Sequence, residues 1–470
     1  MPAGRTTMAT IGIVGAGQFA GQFAALFKAH PDIEKVFVTD LVPERATDIV
    51  EHEDLDGTFE SFDALLDSDV DAIALFTQRW THGPLVVRAL EAGKHVYSAV
   101  PMAISVEEIG AIIEAVKSTG LVYMMGETSY YNPRDGPGTT EGRRGSIWPH
   151  LLRGGRLRPR HGPRLLRGLP VQRGGDDWRA TASYPPHALP PRTRSAEFSA
   201  QSPGHAISVS CLGIKDDRGD GVFDKQVSQF DNDFSNASAL FELDNGTVMR
   251  INEMRRVGYP APIRESRFRY FGTEASFEQL ATVSLWQDRY DIVDVSEQLE
   301  AAPSVDLDDP SLAHVDPELR RAFVSGYAPI HDVERVPVEL RPLPNGHEGS
   351  HHFLVDDFVR AMVDRTLPPV NAWVAARYTL PGGIVAHQSA LQDGARLPRP
   401  PTSGGTHRRL TSVSGDRSPA RVADTSGELG YSRRDELTTT HEARPCETRK
   451  PRAGSPAQTW PGSQACPPPS

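Results

Sequence analysis

The sequence predicts an α/β protein whose N-terminal domain, residues 1–130, contains a doubly wound parallel sheet. Between residues 9 and 125, short apolar segments alternate with segments whose apolar residues recur at helical spacing. A glycine-rich turn directly follows the first apolar segment. Strands that alternate with helices form parallel sheets, because each helix carries the chain back across the sheet before the next strand begins.

The first predicted strand and the turn after it have the pattern of a dinucleotide site. The strand covers Ala9–Val14, and Gly15–Ala20 matches the motif G-x-G-x-x-A at the start of a predicted helix that ends before Pro31. The first glycine permits a tight turn, the second lets the backbone approach a pyrophosphate, and the helix N-terminus offers free N–H groups. The cofactor contacts predicted from this turn are Gly15, Ala16, Gly17, Gln18 and Phe19.

An acidic residue stands at the end of the second predicted strand. Val36–Val38 is followed by Thr39 and Asp40. A carboxylate at this position bonds the ribose hydroxyls of NAD and repels the 2′-phosphate of NADP. We therefore expect NAD, while the nearby Arg45 keeps NADP as the alternative. In isolation the glycine motif also fits an ordinary turn, and its combination with strand, helix and acid favours the cofactor site.

The alternation continues to residue 125 and places further candidates at one edge of the sheet. The predicted helices and strands are, in order, Phe62–Leu66, Asp71–Thr77, Leu85–Ala92 with Gly93 as its cap, His95–Tyr97, Val106–Ser118 and Leu121–Met125. Ligands of such sheets bind beyond the carboxyl ends of the strands. Gly15, Asp40, Thr77 and the segment Ser98–Pro101 should therefore lie along one rim.

Composition and charge exclude several classes of partner. The 470 residues include 50 basic and 61 acidic side chains, a net charge of -11, and nucleic acids or anionic membranes attract the opposite sign. No apolar run approaches the ~20 residues of a membrane span. Residues 1–10 show no signal peptide, and the three cysteines form neither a disulfide framework nor a zinc site, so we expect a cytoplasmic protein without a metal.

Several segments resemble one known family. Ala74–Thr77, His82 and Ala89–Val96 resemble the Gfo/Idh/MocA oxidoreductases, the relatives of glucose–fructose oxidoreductase and inositol dehydrogenase. Further segments with this resemblance are Ala237–Glu253, which reads as a hairpin turning at Asn245-Gly246, Phe271–Glu278, Phe353–Val363, Pro368–Val370 and Ala375–Ala390.

The resemblance implies more than the residues alone show. It implies a C-terminal α/β domain over residues 131–398 with a mostly antiparallel, open sheet, and a site between the domains. It also implies hydride transfer between a nicotinamide and a hydroxyl of a sugar or cyclitol, and homo-oligomers formed through the open sheet. By the same resemblance Thr77, His82 and Pro101 join the cofactor contacts, although packing or helix capping explains His82 equally well.

Two departures from the family pattern leave the catalytic residues unknown. Ala99-Val100-Pro101 stands where the family carries Glu-Lys-Pro, and valine can neither bond a ribose nor move a proton. Arg192–Arg194 stands near the place of the family's acid/base histidine. Two alternatives to a dehydrogenase therefore remain, a redox-assisted glycoside hydrolase that uses bound NAD and a disabled nucleotide-binding remnant.

Two segments differ from the rest of the chain. Arg, Gly and Pro occupy 25 of the 42 positions from Arg134 to Gly175, and continuous family-like sequence resumes at Pro203. A basic nucleic-acid arm, a disordered linker and a frame slip in a GC-rich gene all give such composition. We favour the frame slip over 134–201, because family-like sequence also returns briefly at Asp177–Thr181 before it lapses again over His187–Gln201. Reading the coding DNA in all frames tests it. The tail 399–470 has no apolar periodicity and is predicted to be disordered.

Overall fold

A computed structural model shows six parallel strands in the N-terminal domain, ordered β3-β2-β1-β4-β5-β6. The strands are β1 (Ala9–Val14), β2 (Ile33–Thr39), β3 (Gly57–Thr58), β4 (Ala72–Leu75), β5 (His95–Ala99) and β6 (Tyr123–Gly126). The helices between them are α1 (Gln18–Ala29), α2 (Pro43–Glu53), α3 (Phe62–Leu66), α4 (His82–Glu91) and α5 (Val106–Thr119). The prediction of a doubly wound parallel sheet is confirmed.

The structure describes residues 8–132, 171–174, 205–217, 223–225, 232–244, 246, 248–254, 266–271, 275–280, 282–301 and 326–400. All of them lie in one compact unit, Met1–His407. Among them, no helix has the length and apolarity that a membrane crossing requires.

Each face of the N-terminal sheet is buried by a different set of helices. Along β4, Ile73 and Leu75 point into a core shared with α4 and α5, whereas Ala72 and Ala74 point into a second core shared with α1. This alternation is the two-residue period of a strand buried on both sides. The parallel strands accordingly read as continuous apolar runs, which is why the sequence predicts them well.

Helix boundaries depart from the prediction in two places. Helix α4 begins at His82, three residues before the predicted start. A short 3-10 helix, Arg79–Thr81, directly precedes it. Helix α2 has no counterpart in the predicted elements, because only Ala46 and Ile49 of its residues are buried and most of the others are polar.

A helix from the far end of the chain completes the second face of the N-terminal sheet. Helices α6 (Ser296–Leu299) and α7 (Ser350–Asp364) follow the strands of the C-terminal region. Phe358 of α7 packs edge-on against Phe27 of α1 and Tyr97 of β5. Val122 and Met124 lie in the same core. Helix α7 therefore covers the part of the sheet that α1 leaves open.

The C-terminal region contains two further sheets. One has the order β11-β7-β10-β9-β8-β16 and is antiparallel except for the β7–β10 pair, and the other has the antiparallel order β12-β13-β14-β15. Their strands are β7 (Val171–Gly174), β8 (Ala206–Lys215), β9 (Phe234–Leu243), β10 (Val248–Met254), β11 (Ser266–Arg267), β12 (Arg269–Phe271), β13 (Ala275–Gln279), β14 (Ser284–Asp288), β15 (Ile292–Asp294) and β16 (Leu397–Pro398). The predicted mostly antiparallel sheet is confirmed.

The predicted hairpin is the β9–β10 pair, in which Glu242 faces Val248 and Gly246 has a φ of +78°. One face of this sheet packs on α8 (Ala372–Thr379), the π-helical turn Leu380–Val385 and α9 (Ala386–Ala390). The other face leaves Leu212 and Leu240 more than half exposed. The sheet is thus open on one side.

Several predictions fall on residues outside the described part of the chain. Of the anomalous segment 134–201, only β7 is described, and it pairs with β10. The other residues of that segment, including Arg192–Arg194, lie outside the described residues, as do residues 401–470 of the predicted tail. The disorder and frame-slip predictions therefore stay predictions.

Candidate functional site

The turn after β1 requires glycine at its first position. Gly15 has a φ of +93°, and a Cβ placed on it would stand 2.9 Å from the carbonyl oxygen of Phe76. Its N–H donates to the carbonyl oxygen of Thr39 at 2.9 Å. The ends of β1, β2 and β4 are therefore drawn together at this turn, and no larger side chain fits between them.

Gly17 is the N-cap of α1 and supplies no side-chain cap. By contrast, Ser61 and Ser105 accept hydrogen bonds from the first turns of α3 and α5. The first N–H groups of an α-helix have no partner within the helix and carry the positive end of its dipole. Gly17 thus leaves the start of α1 open to an anion from the rim of the sheet.

Asp40 ties the second strand to this turn. Its Oδ2 accepts a hydrogen bond of 2.7 Å from the N–H of Ala16, and its Oδ1 accepts one of 2.8 Å from the N–H of Val42. A carboxylate offers about four acceptor positions, so two bonds leave capacity for further donors such as hydroxyls. The side chain is half-buried, which keeps it reachable from the rim.

Thr77 follows β4, and its contact with the Thr81 hydroxyl determines whether the Thr77 hydroxyl donates or accepts a hydrogen bond. Thr81 Oγ1 donates to the carbonyl oxygen of Gln78 at 2.7 Å, and the Thr77 and Thr81 hydroxyl oxygens are 2.7 Å apart. Because the Thr81 proton is used on Gln78, Thr77 is the donor of this pair. Thr77 therefore keeps oxygen lone pairs at the rim and acts there as an acceptor.

His82 lies behind the rim with no exposed surface. Its Nδ1 is 2.7 Å from the carbonyl oxygen of Pro101, and its Nε2 is 3.1 Å from the carbonyl oxygen of Thr77. Burial lowers the pKa of His82, although the two carbonyls oppose this. The neutral ring donates from Nδ1, which makes the shorter contact. The imidazole thus bonds the loop after β5 and lies against the loop after β4, and it does not face outward.

The loop after β5 carries the departure from the family pattern. Pro101 is buried, and Val100 is half-buried and packs against the core around α4 and α5. The Ser98 hydroxyl makes a buried hydrogen bond of 2.9 Å with that of Tyr123. The side chain of Val100 thus contributes apolar contact in the loop after β5 and offers no hydrogen-bond donor there.

The rim also includes a loop that the sequence analysis did not single out. Residues Asn345–Gly349 precede α7, and the rings of His347 and His351 each lie 6.0 Å from the ring of Phe19. Two glycines three residues apart, just before an apolar helix, are the signal that could have drawn attention to it. Within the described residues, no cluster of three His, Cys, Asp or Glu side chains could hold a metal ion.

The predicted site residues form two groups of contacting residues at one edge of the sheet. Gly15, Ala16 and Asp40 form the first, and Thr77, His82 and Pro101 form the second. The close approach of Gly15 to Phe76 and Thr77 joins the groups. Phe19 lies on the first turn of α1, in ring contact with Phe76, while the side chain of Gln18 lies outside the described part.

The N-terminal domain also matches a known sequence family. Residues 9–127 match the profile of the Gfo/Idh/MocA family, described as an oxidoreductase family with an NAD-binding Rossmann fold. The N-terminal domain belongs to the Gfo/Idh/MocA family. The family resemblance inferred from the sequence is therefore confirmed.

Two curated proteins are similar to this Gfo/Idh/MocA domain. The 4-carboxy-2-hydroxymuconate-6-semialdehyde dehydrogenase of Sphingobium sp. (strain NBRC 103272 / SYK-6) is 30% identical over 128 residues, which make up 26% of this chain and 39% of that enzyme. The scyllo-inositol 2-dehydrogenase (NAD(+)) of Bacillus subtilis (strain 168) is 29% identical over 109 residues, 23% of this chain and 32% of that enzyme. The chain thus matches only about a third of the length of these relatives.

A likeness in structure extends further along the chain. A levoglucosan dehydrogenase in complex with NADH and levoglucosan aligns with a TM-score of 0.57 and 14% identity, over 84% of this chain and 100% of that one. At this identity the alignment shows a shared fold. It includes the C-terminal region, which lies beyond the residues 9–127 that match the family profile.

Proposed function

We propose that this protein is an NAD-dependent oxidoreductase that transfers a hydride between nicotinamide and a hydroxyl of a sugar or cyclitol. The observation that carries the proposal is the bond between Asp40 and Ala16, which fixes a carboxylate beside the glycine turn. A turn that rejects a Cβ, an open helix N-terminus and a fixed acid are the three parts that a dinucleotide requires.

The chain's own residues would bind and orient the cofactor from one side of the rim to the other. The α1 N-terminus at Gly17 would bond the pyrophosphate, and Asp40 would accept from the ribose hydroxyls of the adenosine half. Thr77 would accept a hydrogen bond on the nicotinamide half, since its oxygen keeps lone pairs. A bound nicotinamide supplies the centre that accepts or returns the hydride.

The choice of substrate class rests on relatives and stays part of the proposal. A protein similar to this domain is named for scyllo-inositol, and a protein of the same fold binds levoglucosan. Both ligands are ring compounds with several hydroxyls. We propose the same class here, with homo-oligomers formed through the open sheet face that carries Leu212 and Leu240.

A measurement of cofactor binding tests the proposal first. NAD should raise the thermal unfolding temperature more than NADP does, because Asp40 repels a 2′-phosphate. Turnover is then measured as NADH absorbance with a panel of cyclitols and sugars. An absence of stabilisation by either dinucleotide would refute the proposal, and stabilisation by NADP alone would refute the specificity.

Val100 supports a second candidate, a glycoside hydrolase that uses bound NAD. A chain that lacks the family's lysine at this position cannot use that lysine for proton transfer. In redox-assisted cleavage, a hydroxyl-bearing carbon would give a hydride to bound NAD and become a ketone, and the acidified neighbouring C–H would lose its proton as the leaving alcohol departs. Water would then add to the resulting enone, and the hydride would return to the ketone. Release of free sugar without net NADH distinguishes this candidate. NAD binding without either product would indicate a disabled remnant.

A further inference from the structure

The loop Asn345–Gly349 has an unusual backbone. Three consecutive residues have positive φ, namely His347 at 45°, Glu348 at 57° and Gly349 at 96°. Only glycine adopts this region readily, so His347 and Glu348 are held in an unfavourable conformation. Such conformations persist where the surrounding structure enforces them, and they cluster at ligand sites.

Asn345 enforces the conformation of this loop. Only 1% of the residue is exposed. Its Oδ1 accepts hydrogen bonds from the N–H groups of Gly346 and His351, at 2.9 and 3.0 Å. Its Nδ2 donates to the carbonyl oxygen of Gly349 at 3.0 Å. One buried amide therefore ties both ends of the loop together and fixes the position of His347 between them.

A second histidine determines the proton on His347. The Nδ1 of His347 lies 2.8 Å from the Nε2 of His351, which is fully buried. Burial and the neighbouring histidines lower the pKa of His351 well below its usual range, so its ring is neutral.

The tautomer of His351 follows from its other nitrogen. Its buried Nδ1 has no hydrogen-bond partner in the described part of the chain. A bare lone pair there is less unfavourable than an N–H without an acceptor. His351 therefore donates from Nε2, and His347 accepts at Nδ1 and carries its own proton on Nε2.

His347 lies toward the N-terminal end of α1. The ring of His351 is 4.4 Å from that of Phe23, one turn inside α1, and 6.0 Å from that of Phe19 in the first turn. His347 contacts Phe19, again at 6.0 Å, and is half-buried. Phe358 of α7 contacts Tyr97 of β5, so α7 lies on the β4–β5 side of α1. The imidazole of His347 therefore flanks the open end of α1 on the side away from Asp40.

We propose that His347 donates a hydrogen bond from Nε2 to the phosphate of the dinucleotide that is nearer the nicotinamide. The inference rests on the proposed function, because it requires a dinucleotide on the glycine turn. A donor to an anionic oxygen complements the backbone N–H groups at the start of α1. Since Asn345 fixes the loop in advance, the donor does not have to be ordered when the ligand binds.

Three ligands and one variant test the proposal by calorimetry. ADP-ribose contains the pyrophosphate without nicotinamide, and AMP lacks the second phosphate. In His347→Asn, which keeps a side chain tolerant of positive φ, NAD and ADP-ribose should each bind about 10-fold more weakly. The affinity for AMP should change less than about twofold on the same scale. His205→Asn, at an exposed position before β8, is the matched control and should change none of the three.

The possible outcomes separate the two proposals. If His347→Asn weakens the binding of NAD alone, His347 contacts the nicotinamide and not the phosphate. If it weakens the binding of AMP equally, the substitution disturbs the site in general. Either result overturns the inference, as does an unchanged affinity for all three ligands. His351→Phe keeps the ring packing on Phe23 and removes the Nε2–H, so a smaller loss shared by NAD and ADP-ribose should follow. If the unaltered protein binds neither NAD nor ADP-ribose, the proposed function itself fails.

Discussion

His82 Nδ1 lies 2.7 Å from the carbonyl oxygen of Pro101, although the two residues are 19 positions apart. The first residue of α4 thereby holds the loop after β5 against the loop after β4. A buried carbonyl that loses its donor costs about 1–3 kcal/mol.

Replacement of His82 by leucine should therefore lower the free energy of unfolding by about 2 kcal/mol, because Pro101 would lose its donor. Urea denaturation measures this change. His52→Leu on α2, where the side chain is 54% exposed, is the control and should change stability by less than about 0.5 kcal/mol. Equal losses in both variants would show that the contact with Pro101 contributes nothing specific.

Gly15→Ala should destabilise the protein and remove dinucleotide binding. The new Cβ would stand 2.9 Å from the Phe76 carbonyl oxygen, and the φ of +93° adds about 1–2 kcal/mol of strain. Gly93→Ala has a similar φ but meets nothing within 4 Å, so it should show the strain and keep binding. Gly21→Ala, in open space on α1, should stabilise by about 0.5–1 kcal/mol. Thermal melts with and without NAD measure all three.

Asp40→Ser should reverse the preference between the two dinucleotides. The change removes the charge that repels a 2′-phosphate and shortens the side chain that accepts from Ala16. NAD should bind about 10-fold more weakly, and NADP should gain relative to it. Titration with each dinucleotide measures the ratio. An unchanged ratio would show that Asp40 does not contact the ribose.

Stability should fall as the solution becomes acidic. Burial is the main reason why the pKa of His95 drops from 6.5 to about 4 in the folded state. The unfolded chain then binds more protons between these values, so the contribution is complete above about pH 6.5 and is lost as the pH falls toward 4. The slope is about 1.4 kcal/mol per pH unit for one histidine. Burial lowers the pKa of His82, His351 and His352 as well, which should add to the loss.

Urea denaturation at several pH values measures this slope. His95→Gln should reduce the slope of stability against pH by the contribution of one histidine, because glutamine does not titrate. Glutamine can still accept the hydrogen bond of the Val122 N–H, which His95 accepts at 2.9 Å. His205→Gln, at an exposed position, should leave the slope as it is. A slope that His95→Gln does not change would contradict the assignment of His95 as a buried neutral base.

Phe358→Ala should destabilise the N-terminal domain even though the residue lies far along the chain. The ring is fully buried between α1 and β5, and removing such a ring costs about 3–5 kcal/mol. Leu367→Ala, at a residue 68% exposed, should cost less than about 0.5 kcal/mol. Thermal unfolding followed by the helix signal in circular dichroism, with and without NAD, measures the effect. The unfolding temperature of Phe358→Ala should be lower in both conditions.

The N-terminal fold could be predicted from the sequence because its signals are local. Buried parallel strands are apolar runs, and the turn at Gly15–Ala20 carries a spaced motif. Helix α2 was missed because Ala46 and Ile49 are its only buried residues and most of the others are polar. So few apolar residues give a sequence pattern little to work with.

The site could be predicted only in outline. The rule that ligands meet the carboxyl ends of strands placed Asp40 and Thr77 at one rim. The bond of Asp40 to Ala16 and the bond of His82 to Pro101 depend on loop conformations that no spacing encodes. The loop at His347 could not be placed at all, because its position follows from where α7 packs.

The packing of α7 sets an order of events during synthesis. The ribosome makes residue 126 more than two hundred residues before it reaches Asp364, an interval of about 12–50 s at ~5–20 residues per second. Until then Tyr97 and Met124 have no α7 to cover them. The nascent N-terminal sheet therefore exposes an apolar face throughout that interval, and its core closes only once α7 has been made.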